Sequence, residues 1–338
     1  MPLKADQLRQ VFHEFSQKKV LIIGDVMLDA YIWGKVERIS PEAPVPVVTV
    51  LKREERLGGA ANVGMNIRAL GALPVMCSVV GTDDKGEILR ALMLNQGLDV
   101  SGVIESPHRT TTTKFRILGN NTQMLRVDEE TARPLEEEVY HELCSRIDQI
   151  LKTKNIDVII FQDYDKGVIS PQLIDFVTET AEEMGIPVTA DPKKQNFLYY
   201  RNTTLIKPNL NEMREGLERP ELTPDQKELD EAARQLAGLL NNSMVMNTLS
   251  EHGVFILWKE NGKFNNALIP AHRRNIADVS GAGDTVISVA SLSLATGLSP
   301  VDTARLSNLA GGLVCEEAGV VPVDKEKLLT EAIRIFNP

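Results

Sequence analysis

The stretch "DVSGAGDTVISVASLSLATG", residues 278–297, joins a loop of small residues to a long apolar run, with an acid at the junction. Ser280, Gly281, Ala282 and Gly283 leave the backbone almost bare, and Asp284 follows at once. A helix beginning here presents free N–H groups and the positive end of its dipole. Anions settle at such an end where no side chain keeps them off. The loop therefore suits the charge on a phosphoryl group in transfer, and a carboxylate beside it is placed to take a proton from an attacking hydroxyl. The plainer alternative is that Gly-Ala-Gly serves close helix packing and Asp284 only caps the helix. A dinucleotide loop fits less well, because Val286 stands where G-x-G-x-x-G needs its third glycine. The Walker pattern GxxxxGK[ST] is absent from the chain.

Outward from this stretch, short β-branched runs alternate with longer helical patterns. Strands are expected over 20–24, 44–50, 74–81, 157–161, 186–191, 203–209 and 243–249. Several are apolar throughout, as strands covered on both faces require. Helices are expected over 59–70, 84–96, 135–152, 170–184, 224–241, 284–296 and 300–318, with an amphipathic one at the N-terminus. This alternation predicts an α/β fold, a mostly parallel sheet with helices on both faces. Two stretches break the rhythm: "YIWGKVERISPEAPVPVVTV" (31–50) and "TTTKFRILGNNTQMLRVD" (111–128), the second a hairpin turning at 119–121. Together, as segments of about 31–55 and 110–128, they form a candidate lid on a single domain over 1–338; ordinary edge strands of the core are the alternative.

A formal net charge of −10 argues against a general nucleic-acid binder, which needs basic surface to neutralise phosphates. Cys77, Cys144 and Cys315 are far apart and form no CxxC pair, so buried, reduced thiols are expected. No run approaches the ~18 apolar residues of a membrane span and the N-terminus lacks an apolar signal core, so a cytoplasmic protein without membrane contact is expected.

Further motifs frame the loop. Asp25 and Asp29, in "DVMLD", follow the first strand, at the edge where open α/β sheets bind ligands. In "LGGAANVGMNIRALG" (57–71), Gly58 and Gly59 permit close backbone approach and Asn62 offers a donor and an acceptor. "KPNLNE" (207–212) and "NTLSEHG" (247–253) lie between this segment and the terminal loop.

In this order, "GGAAN", "KPNLNE", "NTLSEHG" and "DVSGAGD" resemble the signatures of the ribokinase-like, or PfkB, family of carbohydrate kinases. "GDVMLDAYIWGKVERISPEAPVPVV" and "DYDKGVIS" (163–170) look most similar to the kinase part of the enzymes that make ADP-heptose for bacterial lipopolysaccharide. The resemblance implies phosphorylation of D-glycero-D-manno-heptose 7-phosphate at its anomeric hydroxyl, with ATP and magnesium, by a homodimer paired through its lids. It implies Asp284 as base and the amides of Gly281, Ala282 and Gly283 as an anion hole. Asp25, Asp29, Gly58, Gly59 and Asn62 would hold the sugar. Asn209 and Glu212 would organise the magnesium and phosphate network, Glu212 through water. Lys207, Thr248, Ser250, Gly253 and Asn308 belong to the nucleotide side; Ser250 replaces the family's usual glycine. Asp278 and Ser280 flank the place where some relatives hold a monovalent cation. A phosphorylated substrate needs cationic partners, with Lys166 first among the candidates, then Lys193, which is also a nucleotide-side candidate, Arg116 and Arg126. The chain ends soon after the kinase motifs, so a stand-alone kinase is expected, with a separate nucleotidyltransferase acting next. Rival readings are a kinase of this fold for fructose, ribose or a nucleoside, and a non-catalytic sugar-binding regulator.

Overall fold

The computed structural model of the protein describes residues 3–272 and 274–336. The chain runs α1 (Ala5–Phe15), β1 (Lys19–Gly24), β2 (Val26–Ile39), β3 (Pro46–Gly59), α2 (Ala60–Ala69), β4 (Leu73–Gly81), α3 (Asp84–Asn95) and β5 (Asp99–Ser106). It continues through β6 (Thr113–Gly119), β7 (Thr122–Glu129), α4 (Glu137–Thr153), β8 (Val158–Gln162), α5 (Pro171–Met184), β9 (Val188–Asp191) and β10 (Leu205–Ile206). It closes with α6 (Leu210–Gly216), α7 (Gln226–Leu240), β11 (Met244–Thr248), β12 (Val254–Glu260), β13 (Lys263–Ile269), α8 (Ala282–Ala295), α9 (Pro300–Val314) and α10 (Lys325–Phe336).

Nine strands form the main sheet in the order β13-β12-β11-β10-β9-β8-β1-β4-β5. All neighbours are parallel except at the β11-β12-β13 edge. The apolar runs explain the layers. In β1, Val20 and Ile22 enter the core beside α1, α2, α8, α9 and α10, whereas Leu21 and Ile23 enter the core beside α4, α5 and α7. Alternate side chains of one strand thus serve two cores, so no polar residue is tolerated between them. The chain leaves β1 towards β4 and β5 on one side and builds β8 to β11 on the other. The strand order reverses between β1 and β8, and the carboxyl ends of strands at such a point are where open α/β sheets bind ligands.

Four strands make a smaller sheet in the order β3-β2-β6-β7. β2 begins at Val26, immediately after Asp25, so the chain passes from one sheet to the other across a single residue. The β6–β7 hairpin turns at Asn120 and Asn121, with φ of 52° and 64°, the left-handed pair that a two-residue turn needs. The Asn120 side chain also pairs with the backbone of Val36, through bonds of 3.2 and 3.0 Å, and so ties the hairpin tip to β2.

Several expected boundaries shift for physical reasons. The strand expected over 203–209 shrinks to β10, because Pro208 has no N–H to give the ladder. The strand expected over 44–50 extends as β3 to Gly59, its polar half paired residue by residue with β2. The β12–β13 hairpin, β5, α6 and α10 were not among the expected elements.

Candidate active site

Helix α8 starts at the quoted loop, and no side chain caps it: Gly281 is its N-cap residue, with φ of 79°. Its first-turn amides lie at the positive end of the helix dipole, the Ala282 N–H also meeting the Val279 carbonyl at 3.3 Å. Asp284 sits inside that first turn but does not cap it. Its carboxylate turns away and accepts from three side chains: Asn62 Nδ2 of α2 at 2.6 Å, Tyr164 Oη at 2.7 Å and Gln162 Nε2 at the end of β8 at 3.3 Å. The capping alternative thus fails on geometry.

Asp284 is 7% exposed. Burial pushes its carboxyl up to about 6, against the pull of the Asn62 and Tyr164 hydrogen bonds. At neutral pH it is ionised yet more basic than an exposed aspartate. Gln162 links it to Asp191 at the end of β9, donating to Asp191 Oδ2 at 3.2 Å. Asp191 in turn pairs with the buried Lys207 ammonium at 3.1 Å. A methyl group placed on Gly283 would stand 3.7 Å from Lys207 Nζ and 3.9 Å from Asp191 Oδ2. The bare loop and the buried ammonium therefore converge on one volume.

Behind the loop, Asn66 fixes the register of three segments. Its Nδ2 donates to the Asn62 carbonyl at 2.9 Å, and its Oδ1 accepts from Thr285 Oγ1 and the Val323 N–H, both at 3.0 Å.

Asp25 and Asp29 lie where the first motif implied, but both carboxylates are engaged. Asp25 clamps the loop after β8, accepting from the backbone N–H groups of Tyr164 at 2.9 Å and of Lys166 and Val168 at 3.1 Å. Burial first, and then the neighbouring Asp163 charge, push Asp25 up to about 6 despite those bonds. Asp29 of β2 pairs with Arg116 of β6. Gly58 backs onto it: a Cβ there would meet Asp29 Oδ2 at 2.7 Å. Gly59, with φ of 59°, would meet the Asp25 carbonyl at 2.3 Å, so the close approach these glycines permit is to Asp25 and Asp29 themselves.

The residues expected on the nucleotide side form a second group. Asn209 and Glu212 make a reciprocal capping box on α6, with bonds of 2.8 and 2.9 Å. The second Glu212 oxygen takes the Lys193 ammonium. Burial alone would lower Lys193, but the Asp191 and Glu212 carboxylates outweigh it and hold the ammonium above its ordinary value. Thr248 ends β11 in a parallel bridge to Asn209. Ser250 takes φ of 52°, so the serine adopts the left-handed backbone that a glycine would hold without strain. Gly253, with φ of 93°, packs so tightly that a Cβ would lie 2.0 Å from the Ile269 carbonyl. Asn308 donates to the Pro270 carbonyl at 2.9 Å, next to that turn. Asp278 binds the Ser280 N–H at 2.9 Å and the Gly319 N–H at 3.2 Å. The Ser280 bond above all holds its carboxyl below the usual range.

The four cations proposed from the sequence are all engaged. Lys166 meets Glu130 at 2.8 Å, and Arg126 grips Asp128 through two bonds of 2.8 and 2.6 Å. Arg116 and Lys193 hold Asp29 and Glu212 as described. Sequence reasoning passed over Gln162, Tyr164 and Asp191. Gln162 and Asp191 end the buried strands β8 and β9 and Tyr164 lies two residues beyond β8, and the carboxyl end of such a strand is the signal that picks them out.

These features agree with comparisons to known proteins. Residues 17–327 match the family model described as pfkB family carbohydrate kinase. The "Bifunctional protein HldE" of Citrifermentans bemidjiense is 38% identical over 331 residues, covering 96% of this chain but 65% of that protein. The protein of the same name from Methylobacillus flagellatus is 40% identical over 327 residues, covering 96% and 65%. The chain thus spans a little under two thirds of the length of these relatives. Among solved structures, phosphofructokinase-2 from Escherichia coli in complex with potassium superposes with a TM-score of 0.77 at 18% identity, covering 95% of this chain and 99% of that one. Arabidopsis thaliana ribokinase complexed with ribose and ATP superposes with a TM-score of 0.69 at 17% identity, covering 92% and 98%. At such identities the superpositions speak for the fold, which is ribokinase-like. With the family model matching nearly the whole chain, the protein belongs to the pfkB family of carbohydrate kinases and is a sugar kinase.

Proposed function

We propose that this sugar kinase transfers the γ-phosphoryl group of ATP to the anomeric hydroxyl of D-glycero-D-manno-heptose 7-phosphate, giving the 1,7-bisphosphate. The observation that carries the reading is the placement of Asp284, basic but ionised, between an uncapped helix end and a small sheet rich in cations. The motifs shared with the heptose kinases support the choice of sugar.

The residues divide the work. Asp284 accepts the proton as the hydroxyl O–H bond breaks; that oxygen bonds to the γ-phosphorus, and ADP leaves. The amides of Gly281, Ala282 and Gly283, with Lys207, hold the equatorial oxygens in a place already organised for charge. Asn62, Tyr164 and Gln162 aim the carboxylate. The smaller sheet acts as the lid, excluding water that would compete as acceptor.

Gln162 Oε1 and Asp191 Oδ1 are buried without a hydrogen-bond partner among the described residues. Both adjoin the Lys207 and Gly283 corner, and oxygen donors of this kind fit a hydrated magnesium ion. Asp191, with Glu212 through water, would hold the ion, which supplies neutralisation of the nucleotide phosphates. Asp278 and Ser280 are our candidates for a monovalent cation. As an ATP-dependent step the reaction belongs in the cytoplasm, and its anomeric phosphate product is the class of substrate that a nucleotidyltransferase consumes. The exposed apolar face of the smaller sheet pairs two copies into a dimer.

The test is ADP release from MgATP with heptose 7-phosphate, run beside fructose, fructose 6-phosphate and ribose. Turnover confined to the heptose phosphate is expected. Faster turnover of another sugar would discard the heptose while keeping the kinase.

A further inference from the structure

The side chains on the Asp284 carboxylate, Asn62, Tyr164 and Gln162, come from α2, from the loop after β8 and from the end of β8. All of them are tied to Asp25. The Asp25 N–H donates to the Gln162 carbonyl at 3.2 Å. The Asp25 carbonyl accepts from the N–H of Ala60, in the turn of α2 that carries Asn62, at 2.9 Å. The Asp25 carboxylate accepts from the Tyr164 N–H at 2.9 Å.

Any residue at this position could make the backbone bonds. The carboxylate is harder to replace. Asp165 and Gly167 hold left-handed backbone, with φ of 56° and 85°, and alternation of this kind shapes backbone N–H groups into a cradle for an anion. The cradle is filled from within the chain: Oδ2 of Asp25 accepts from Tyr164 and Lys166, and Oδ1 from Val168. Arg109 holds the loop from its other side by donating to the Lys166 carbonyl. Asp25 is 2% exposed, with both oxygens turned onto the loop.

An asparagine has the same shape but a single acceptor oxygen. Asp25→Asn therefore sets N–H against N–H on one side of the cradle. The loop has to shift, and the Tyr164 hydroxyl shifts with it. The same substitution removes a buried charge, so the fold is expected to hold.

We infer that Asp25 is a positioning residue for the reaction: by holding the 164–168 loop it sets the Tyr164 hydroxyl on Asp284, and it does so without touching the sugar. The inference rests on the proposed function in taking Asp284 as the base. It gives Asp25 a different part from the sugar contact that the family resemblance implies.

The experiment measures kcat, acceptor KM and the acidic limb of kcat/KM for wild type, Asp25→Asn, Tyr164→Phe, the double variant and Asp284→Asn, beside thermal melts. The acceptor is whichever sugar turns over best with MgATP. The other titratable groups that face Asp25, namely Asp163, Arg109 and Tyr200, are the same in every variant. A misplacement of about 1 Å costs on the order of 10²-fold in rate. Asp25→Asn is expected to lower kcat by about 10- to 100-fold, to leave the acceptor KM within about 3-fold, and to move the acidic limb up as Tyr164→Phe does. In the double variant the second substitution should cost less than about 3-fold beyond the first, because both act through one hydroxyl. A raised KM with kcat held marks a sugar contact and overturns the inference. So do additive losses, and so does a lower melting temperature with the pH limb unmoved. If Asp25→Asn melts too early to assay, Arg109→Met frees the same loop from its other side and is read on the same scales; a change in KM rather than kcat again overturns the inference. Normal turnover by Asp284→Asn overturns the base itself, and with it the reading beneath the inference.

Discussion

The Tyr164 hydroxyl donates to Asp284 Oδ1 at 2.7 Å, across 120 positions of sequence. This bond stabilises the ionised carboxylate, as does the one from Asn62, while burial and Asp191 oppose ionisation and Lys207 favours it. Tyr164→Phe removes one of the three hydrogen bonds to that carboxylate. The acidic limb of kcat/KM, which starts from a carboxyl near 6, is expected to move up by roughly half to one pH unit. The loss of activity should therefore be larger at pH 6 than at pH 8. A uniform loss at all pH values would assign Tyr164 a packing role only.

The loop glycines separate folding from chemistry. A methyl group on Gly283 meets nothing closer than 3.7 Å, so Gly283→Ala should melt within a degree or two of wild type. That methyl nevertheless occupies the side of the loop shared with Lys207, and turnover should fall by about 10²-fold or more. Gly253→Ala is the contrast: a Cβ 2.0 Å from the Ile269 carbonyl, on a backbone with φ of 93°, should lower the melting temperature clearly. Thermal melts and steady-state rates on the two variants check both statements.

The buried acids make stability depend on pH in an unusual direction. Asp25 and Asp284 are both raised to about 6 from 3.8. Between those values the folded state binds more protons than the unfolded state, so their contribution is full below about pH 4 and is lost as pH rises through 6. Asp284→Asn removes one such group. Its stability relative to wild type should improve by roughly 2 kcal/mol between pH 4.5 and 7.5, while kcat falls by about 10²- to 10⁴-fold. Parallel stability curves would show that Asp284 ionises in the folded protein as it does in the unfolded chain.

On the outward face of the smaller sheet, Phe115 pairs with Val127 and Ile117 with Leu125. Leu125 and Val127 are 54% and 42% exposed, an apolar patch of the kind that marks an interface. A Leu125→Asp, Val127→Asp double variant should halve the mass measured by light scattering without lowering the melting temperature of the isolated subunit. A monomeric wild type would remove the dimer from the proposal.

The main architecture was legible because burial on two faces leaves a plain mark. "VLIIG" and "DVIIF" read as strands since their apolar positions are all claimed by a core, and β1 and β8 lie within a residue or so of the expected bounds. The β12–β13 hairpin was missed for the opposite reason: "KFNNALI" is half-exposed and carries two asparagines, so no periodicity announces it. In the site, small residues and acids at a helix mouth pointed to Asp284 directly. Tyr164 and the hold of Asp25 on its loop were not readable, because each acquires meaning from a partner far along the chain: Asp284 for one, and the amides of Tyr164, Lys166 and Val168 for the other. No local pattern records which acids are already spoken for.

The single-residue step from β1 through Asp25 into β2 has a consequence for how such an enzyme can change. On the proposed function, the transfer apparatus would hang on the main sheet and α8, and the smaller sheet would meet the far end of the acceptor. Exchange of a few residues on β6 and β7 can therefore redirect the protein to another acceptor while the phosphoryl chemistry stays untouched. The fold divides into a fixed engine and a replaceable tool head, and the place to redesign it is the one farther from the base.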